Sequence, residues 1–234
     1  MSALRVDEIF GPTIQGEGSV AGCPTVFVRL GGCDYRCTWC DTLHAVLPEY
    51  RANWTRMSAL QVIERVDELA GGEVLISLSG GNPAAQDCSG LINEAHVSGH
   101  AVMMETQGSV ARDWFGDLDE LVLSPKPPSS GMVTDIDKLA ACVAAGPSGA
   151  TSLKVVVFDE ADLAFARDIH RAHPDLPFFV QPGNAHTNDE PANVAGLLDA
   201  YRTLCERVAS EPELRFWRVL PQLHVLAWGN ARGV

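Results

Sequence analysis

Seven short apolar stretches recur along the chain: "TVFVRL" (25–30), "EVLISL" (73–78), "AVMMET" (101–106), "ELVLS" (120–124), "LKVVVF" (153–158), "PFFVQP" (177–182) and "RFWRVL" (215–220). Each has the composition and length of a strand rather than a helix. Their near-continuous apolar character predicts strands buried on both faces, as in a parallel sheet. Between them the apolar spacing becomes helical. Ser58 with Gln61 three residues on has capping-box spacing, Leu60, Ile63, Val66 and Leu69 come after it, and Gly71-Gly72 stop the helix. Further helices are predicted over 85–97, 134–145, 160–172 and 190–209. Alternating strands and helices imply βα units with right-handed crossovers. No repeat, low-complexity tract or long linker interrupts the pattern, so we read 1–234 as one domain.

The segments at the strand ends are informative. After 25–30 comes a cysteine-rich loop, and after 73–78 comes "SGGNP" (79–83). Later strands run into "ETQG" (105–108), "SPKPPSSGM" (124–132), "QPGNAH" (181–186) and "PQLH" (221–224). Any strand must end in a polar turn. Six such segments in register favour an active rim, because the carboxyl ends of parallel strands carry the sites of α/β proteins.

Composition narrows the classes. Hydrophobic residues at 46% and charged residues at 20% are ordinary for a globular chain. No apolar run approaches the ~18 residues of a membrane span. The first residues lack a basic stretch followed by an apolar one, so no secretory signal is expected. A net charge of −13 argues against binding nucleic acid, and its plainest meaning is a solvated surface. A small cationic substrate or a basic protein partner stays open. The seven cysteines are odd in number, which argues against a disulfide framework and for a reducing, cytoplasmic compartment. Cys88, Cys142 and Cys205 stand singly in predicted helices and read as small buried apolar residues.

Cys33, Cys37 and Cys40 are different. They fall within "GGCDYRCTWCDT" (31–42) at spacing C-x3-C-x2-C. Thiolates hold soft metals, and a loop of this size wraps an iron–sulfur cubane. Three thiolates on a [4Fe–4S] cluster leave one iron open for a small molecule, as catalytic zinc sites keep an open position. Two alternatives remain: zinc with Cys23 or His44 as fourth ligand, and unligated thiols. Ligand count and softness favour the cluster.

"CDYRCTWC", with Trp39 before the last cysteine, resembles the cluster motif of radical S-adenosylmethionine enzymes. Together with "QGEG" (15–18), "FVRLGGC" (27–33), "CDT" (40–42), "SGGNP", "SPKPPSSGM" and "QLHVLAWGNARGV" (222–234), it resembles the 7-carboxy-7-deazaguanine synthase family. The likeness runs from about residue 7 to the last residue. It implies an α/β fold, a partial (β/α)6-type TIM-like barrel, with segment 215–234 closing the substrate site. A full barrel typically takes about 250 residues. It implies a lyase that converts 6-carboxy-5,6,7,8-tetrahydropterin to 7-carboxy-7-deazaguanine with release of ammonia, in queuosine and 7-deazapurine biosynthesis. Its cofactors would be a [4Fe–4S] cluster, S-adenosylmethionine as the source of a 5′-deoxyadenosyl radical, and Mg2+. Its partners would be a flavodoxin or ferredoxin as electron donor and a second copy in a homodimer.

Residue by residue, the resemblance gives the cluster to Cys33, Cys37 and Cys40, and Mg2+ to Thr42. It gives S-adenosylmethionine to Trp39, Cys40, Asp41, Gly81, Glu105, Ser124, Pro125, Lys126, Gln181, Pro182, Gly183 and Asn184. The pterin falls to Ile14, Gln15, Gly16, Glu17, Arg29, Ser79 and His224. No catalytic residue beyond these ligands is expected. Chemistry supports some roles independently. Arg29 is a lone charge in an apolar strand, and its guanidinium fork matches a carboxylate, unless it makes a structural ion pair. Thr42 offers a hard oxygen to Mg2+, which accepts few protein ligands when substrate supplies the rest, unless it only caps a turn. Lys126 suits the cofactor's carboxylate, unless it is simply solvated. Asn82 stands where glutamate is usual among radical enzymes, so any contact with the cofactor's ammonium would be weaker. His44 and His186 near the rim read as structural.

Overall fold

The computed structural model describes residues 3–185 and 192–234. The elements run β1 (Leu4–Ile14), β2 (Pro24–Leu30), α1 (Leu43–Val46), β3 (Thr55–Met57), α2 (Ala59–Ala70), β4 (Leu75–Gly80), α3 (Ser89–Val97) and β5 (Ala101–Thr106). They continue with β6 (Glu120–Leu123), α4 (Ile136–Ala145), β7 (Thr151–Val157), α5 (Glu160–Ala172), β8 (Phe178–Pro182), α6 (Val194–Ser210), β9 (Arg218–Val219) and α7 (Leu223–Trp228). One sheet has the order β3-β1-β2-β4-β5-β6-β7-β8-β9. Neighbours from β2 to β9 pair in parallel, while β1 pairs antiparallel with both β2 and β3. This is the expected α/β partial barrel, with an antiparallel edge added.

That edge has no counterpart among the predicted strands. Asp7, Glu8 and Gly11-Pro12 break any apolar alternation in β1, and its register against β2 shifts twice, between Val6 and Glu8 and between Phe10 and Thr13. Its pairing is decided by β2 rather than by its own pattern. At the other edge β9 keeps only two residues.

The capping box of α2 forms as expected, and Gly71 ends the helix at φ 67°. The buried positions are Ala59, Val62, Ile63 and Val66, whereas Leu60 is 56% exposed. An every-third series drifts around a helix of 3.6 residues per turn, so Leu60 leaves the face that Ile63 and Val66 share. Ile63→Ala should therefore cost about 2–5 kcal/mol, and Leu60→Ala under about 0.5 kcal/mol, read as shifts in the urea midpoint. Helix α3 begins later than predicted because residues 83–85 form a separate 3-10 turn capped by Asn82. The predicted start of α6 at 190 lies outside the described residues. Cys88 and Cys142 are buried as expected, but Cys205 is only partly covered.

The sheet's two faces differ, which corrects the expectation of apolar strands throughout. Val26, Val28, Leu30, Ile76, Leu78, Val102, Met104, Leu153, Val155 and Val180 join the helices in the core. The alternate residues point the other way. They include Arg29, Ser79, Glu105, Ser124, Lys154 and Gln181, and that polar face lines two adjoining cavities. Among the described residues no helix is long and apolar enough to cross a membrane.

Candidate active site

The larger cavity, of ≈ 550 Å³, lies against the polar face of the sheet. Its wall combines Arg29, Ser79 and Glu105 from the strands, Cys33, Cys37 and Cys40 from the loop after β2, and Asn230 to Val234 from the last residues. An adjoining pocket of ≈ 100 Å³ shares Glu17, Trp39, Asp41, Glu105, Lys126 and Asn184 with it and adds Lys154 and Gln181.

The cysteine loop is tied down at several points. Gly32 N–H donates to Ala45 O at 2.7 Å, Asn82 N–H to Gly32 O at 2.7 Å, and Thr38 N–H to Ser130 O at 2.9 Å. A Cβ on Gly81 would overlap Gly32 O, so glycine lets β4 and the loop meet backbone to backbone. Burial pushes the thiols of Cys33 and Cys40 up, and that of Cys37 up to about 11. Two N–H groups point at the Cys33 sulfur, from Tyr35 backbone at 3.4 Å and from Gln107 Nε2 at 3.7 Å. Donors of this kind suit a metal-bound thiolate.

The donor set fits a cluster better than one ion. Among the described residues only Asp7, Glu8 and His44 bring three ligand atoms within 4.8 Å of one another, so the three sulfurs are spread wider than that. Thiolates on a single zinc lie about 2.3 Å from the metal, which keeps them closer together. Of the two proposed fourth zinc ligands, Cys23 is out of reach. Cys23 is exposed and precedes β2, whereas Cys33 comes after it; seven strand residues put about 20 Å between them. His44 Nδ1 meets Asp7 Oδ2 at 2.6 Å, a contact that leaves Nε2 open, so the spread of the three sulfurs is what disfavours a single ion there. The Asp7 and Glu8 carboxylates are also taken up by Arg29 and by Arg232 of the tail.

A buried charge cluster lies deeper. Lys154, on β7, is 1% exposed and pairs with Glu17 and, at 2.6 Å, with Glu105 Oε1. Gln222 Nε2 donates to the other Glu17 oxygen at 2.7 Å. Burial by itself raises the Glu17 carboxyl, but the Lys154 ammonium and His224 outweigh it and hold Glu17 below the usual carboxylate range. Burial by itself lowers Lys154, and the two carboxylates outweigh it and hold the ammonium above its ordinary value. The chain after β1 reaches under the tail here: Leu223 N–H donates to Gly16 O at 3.1 Å.

No family model matches the chain. A 7-carboxy-7-deazaguanine synthase of Bacillus subtilis (strain 168) is 43% identical over 239 residues, covering 99% of this chain and 98% of that protein. One of Bacillus cereus is 41% identical over 238 residues, covering all of both. The chain belongs to the 7-carboxy-7-deazaguanine synthase family. It is thereby an enzyme of radical S-adenosylmethionine chemistry that acts on a small molecule. The fold agrees: QueE from Escherichia coli superposes with a TM-score of 0.72 at 22% identity over 95% of each chain.

Most residues that the family resemblance singled out line the cavities. Ile14, Gln15, Glu17, Arg29, Ser79 and His224 do so, as do Trp39, Asp41, Thr42, Gly81, Glu105, Ser124, Lys126, Gln181 and Asn184. Gly16, Pro125, Pro182 and Gly183 do not. A Cβ on Gly16 would overlap the His224 ring and one on Gly183 the Phe158 ring, so both glycines permit packing. His186 lies outside the described residues.

Several roles sharpen. Arg29 lies over the Phe10 ring and hydrogen-bonds among the described residues only through Nε, donating to Glu8 Oε1 at 2.8 Å, so both ends of its fork are left for an anion. Thr42 sits at the N-cap of α1 but makes no side-chain cap bond, which removes the turn-capping alternative. Its hydroxyl lies 3.7 Å from Cys40 Sγ. Lys126 is not simply solvated: Nζ reaches Ser124 Oγ at 3.1 Å and lies over the Trp39 ring. Buried Ser79 Oγ and Gln181 Oε1 have no hydrogen-bond partner among the described residues.

Asn82 has a protein role. Its Oδ1 accepts from Ala84 N–H at 3.1 Å and Thr106 Oγ1 at 2.8 Å; its Nδ2 donates to Asp34 Oδ1 at 2.8 Å and Ser109 Oγ at 3.1 Å. All four capacities of the amide are used. A glutamate here would face the Asp34 carboxylate.

Sequence reasoning missed Lys154, Gln107 and Arg232. Lys154 carried the same signal as Arg29, a lone charge inside an apolar strand, so that signal could have found it. Gln107 lay in the rim segment "ETQG" and Arg232 in the tail 222–234, but neither side chain stood out within its segment.

Proposed function

We propose that this chain contracts the pyrazine ring of 6-carboxy-5,6,7,8-tetrahydropterin to give 7-carboxy-7-deazaguanine and ammonia. The observation that carries this reading is a single cavity walled by three clustered thiols on one side and by the open fork of Arg29 on another. Cys33, Cys37 and Cys40 would hold a [4Fe–4S] cluster, and Thr42 beside Cys40 would hold Mg2+. When bound, the cluster and S-adenosylmethionine supply the radical that takes a hydrogen from the pterin.

The protein binds and orients. Arg29 clamps the substrate's carboxylate. Gln15, Ser79 and Glu17 read the polar edges of the pterin, and His224 covers it. Trp39, Lys126, Glu105 and Gln181 hold S-adenosylmethionine, with Lys126 placed for its carboxylate. Residues 215–234 close the substrate site as part of a single radical S-adenosylmethionine domain. Arg232 supports this reading, because its contacts with Asp7 and Glu8 tie the tail to β1 at the cavity that Arg29 also lines. A flavodoxin or ferredoxin would supply the electron, the enzyme would act as a homodimer, and it would work in the cytoplasm, where all seven free thiols stay reduced.

Anaerobic turnover of the reconstituted protein tests the reading, with the carboxy-pterin, S-adenosylmethionine, Mg2+ and dithionite, read by product mass. The expected product is 7-carboxy-7-deazaguanine. Formation of 5′-deoxyadenosine without any deazapurine would retain the radical chemistry and sink the substrate.

A further inference from the structure

The buried ammonium of Lys154 has no part in the roles assigned so far, yet it touches one residue from each half of the cavity. Glu17 lies beside the residues assigned to the pterin, and Glu105 beside those assigned to S-adenosylmethionine. We propose that Lys154 is a positioning residue that couples the two ligands: it holds Glu17 and Glu105 as one unit, so that binding of either ligand tightens binding of the other. The proposal rests on the assignment of those two ligands to the cavity.

Geometry supports a link rather than a plain ion pair. Lys154 projects from the middle of β7, where it pairs with Phe179 of β8 and follows directly on the last residue paired with β6, Leu153. Its head group is shared between two carboxylates. Two carboxylates and one ammonium leave the group at a net charge of −1, facing two cavities. Glu105 Oε2 has no partner among the described residues and is left to accept from a ligand. Glu17 is tethered through Gln222 to the segment leading into α7, the helix that carries His224. A buried ammonium is costly unless paired, so a ligand that fixes one carboxylate also fixes Lys154 and, through it, the other. The contact between Glu17 and Lys154 outweighs the opposing effect of burial, keeps both charged and so keeps the link formed at neutral pH.

The test measures binding rather than turnover. S-adenosylmethionine is titrated into the cluster-loaded, oxidised enzyme by anaerobic calorimetry, with and without the carboxy-pterin and with no reductant present. We expect the pterin to tighten cofactor binding by about tenfold, within the usual range of coupling between sites. In Lys154→Met that ratio should fall to about one while each ligand still binds; Lys154→Arg should restore most of it. Should Lys154→Met fail to fold or to hold its cluster, Lys154→Gln decides, because it removes the shared ammonium while leaving a donor for one carboxylate, and its ratio should also fall to about one. A tenfold ratio surviving in either folded variant overturns the proposal, as does a ratio of one in the unaltered enzyme. An enzyme that binds neither ligand would instead defeat the functional reading itself, and the coupling with it.

Discussion

Cys37→Ala should leave a folded protein that has lost its cluster and its activity. The expected turnover is at least about 10⁴-fold lower, because losing the radical source forfeits most of the 10⁶-fold or larger acceleration that enzymes supply. Iron and sulfide content and the visible absorbance of the reconstituted protein report the loss directly. Cys37 sits on a loop held by backbone bonds from Gly32, Thr38 and Asn82, none of which involves its side chain. The far-ultraviolet spectrum should therefore be unchanged. Cys23→Ala is the matching control, since that exposed thiol lies at the opposite end of β2. It should keep full iron and full turnover. Loss of metal in Cys23→Ala, with Cys37→Ala unaffected, would overturn the assignment of the loop.

Arg29→Ala should weaken the carboxy-pterin by about 2–3 kcal/mol, the worth of a charge-assisted hydrogen-bond pair in a partly buried site. That corresponds to a rise in KM of about 30–150-fold. The affinity for S-adenosylmethionine should be unchanged. The fold is expected to survive, because Glu8 keeps Arg232 Nε at 3.1 Å after Arg29 is gone. Arg29→Lys keeps the charge and loses the fork, so it should recover only part of the affinity. A fall in Tm with KM unaltered would mean that Arg29 serves the Glu8 ion pair alone.

The contrast between Arg29 and Lys154 shows where sequence reading stops. Both are single charges in apolar strands. Arg29 stands out because it lies four residues before Cys33 and belongs to a motif; Lys154 stands in no motif and reads as part of a strand. Asn82 is the reverse case. The sequence marks it as a missing negative charge, but its four hydrogen bonds reach Asp34, Ala84, Thr106 and Ser109, partners that only folding assembles.

The features that the sequence determined by itself are local. Strand 101–106, helix 160–172, the Ser58–Gln61 cap and the C-x3-C-x2-C loop are set by hydrophobic period, side-chain capping and ligand spacing within a few residues. These depend on neighbours along the chain, and so they were legible. The tertiary structure decided the rest. It added β1 to the sheet, placed Leu60 outside the core, turned the alternate residues of the strands into a polar wall, and brought Glu17, Glu105 and Lys154 together. Glu17 and Lys154 are 137 residues apart in sequence. No local periodicity encodes such a contact, because it depends on strand order and register across the whole sheet.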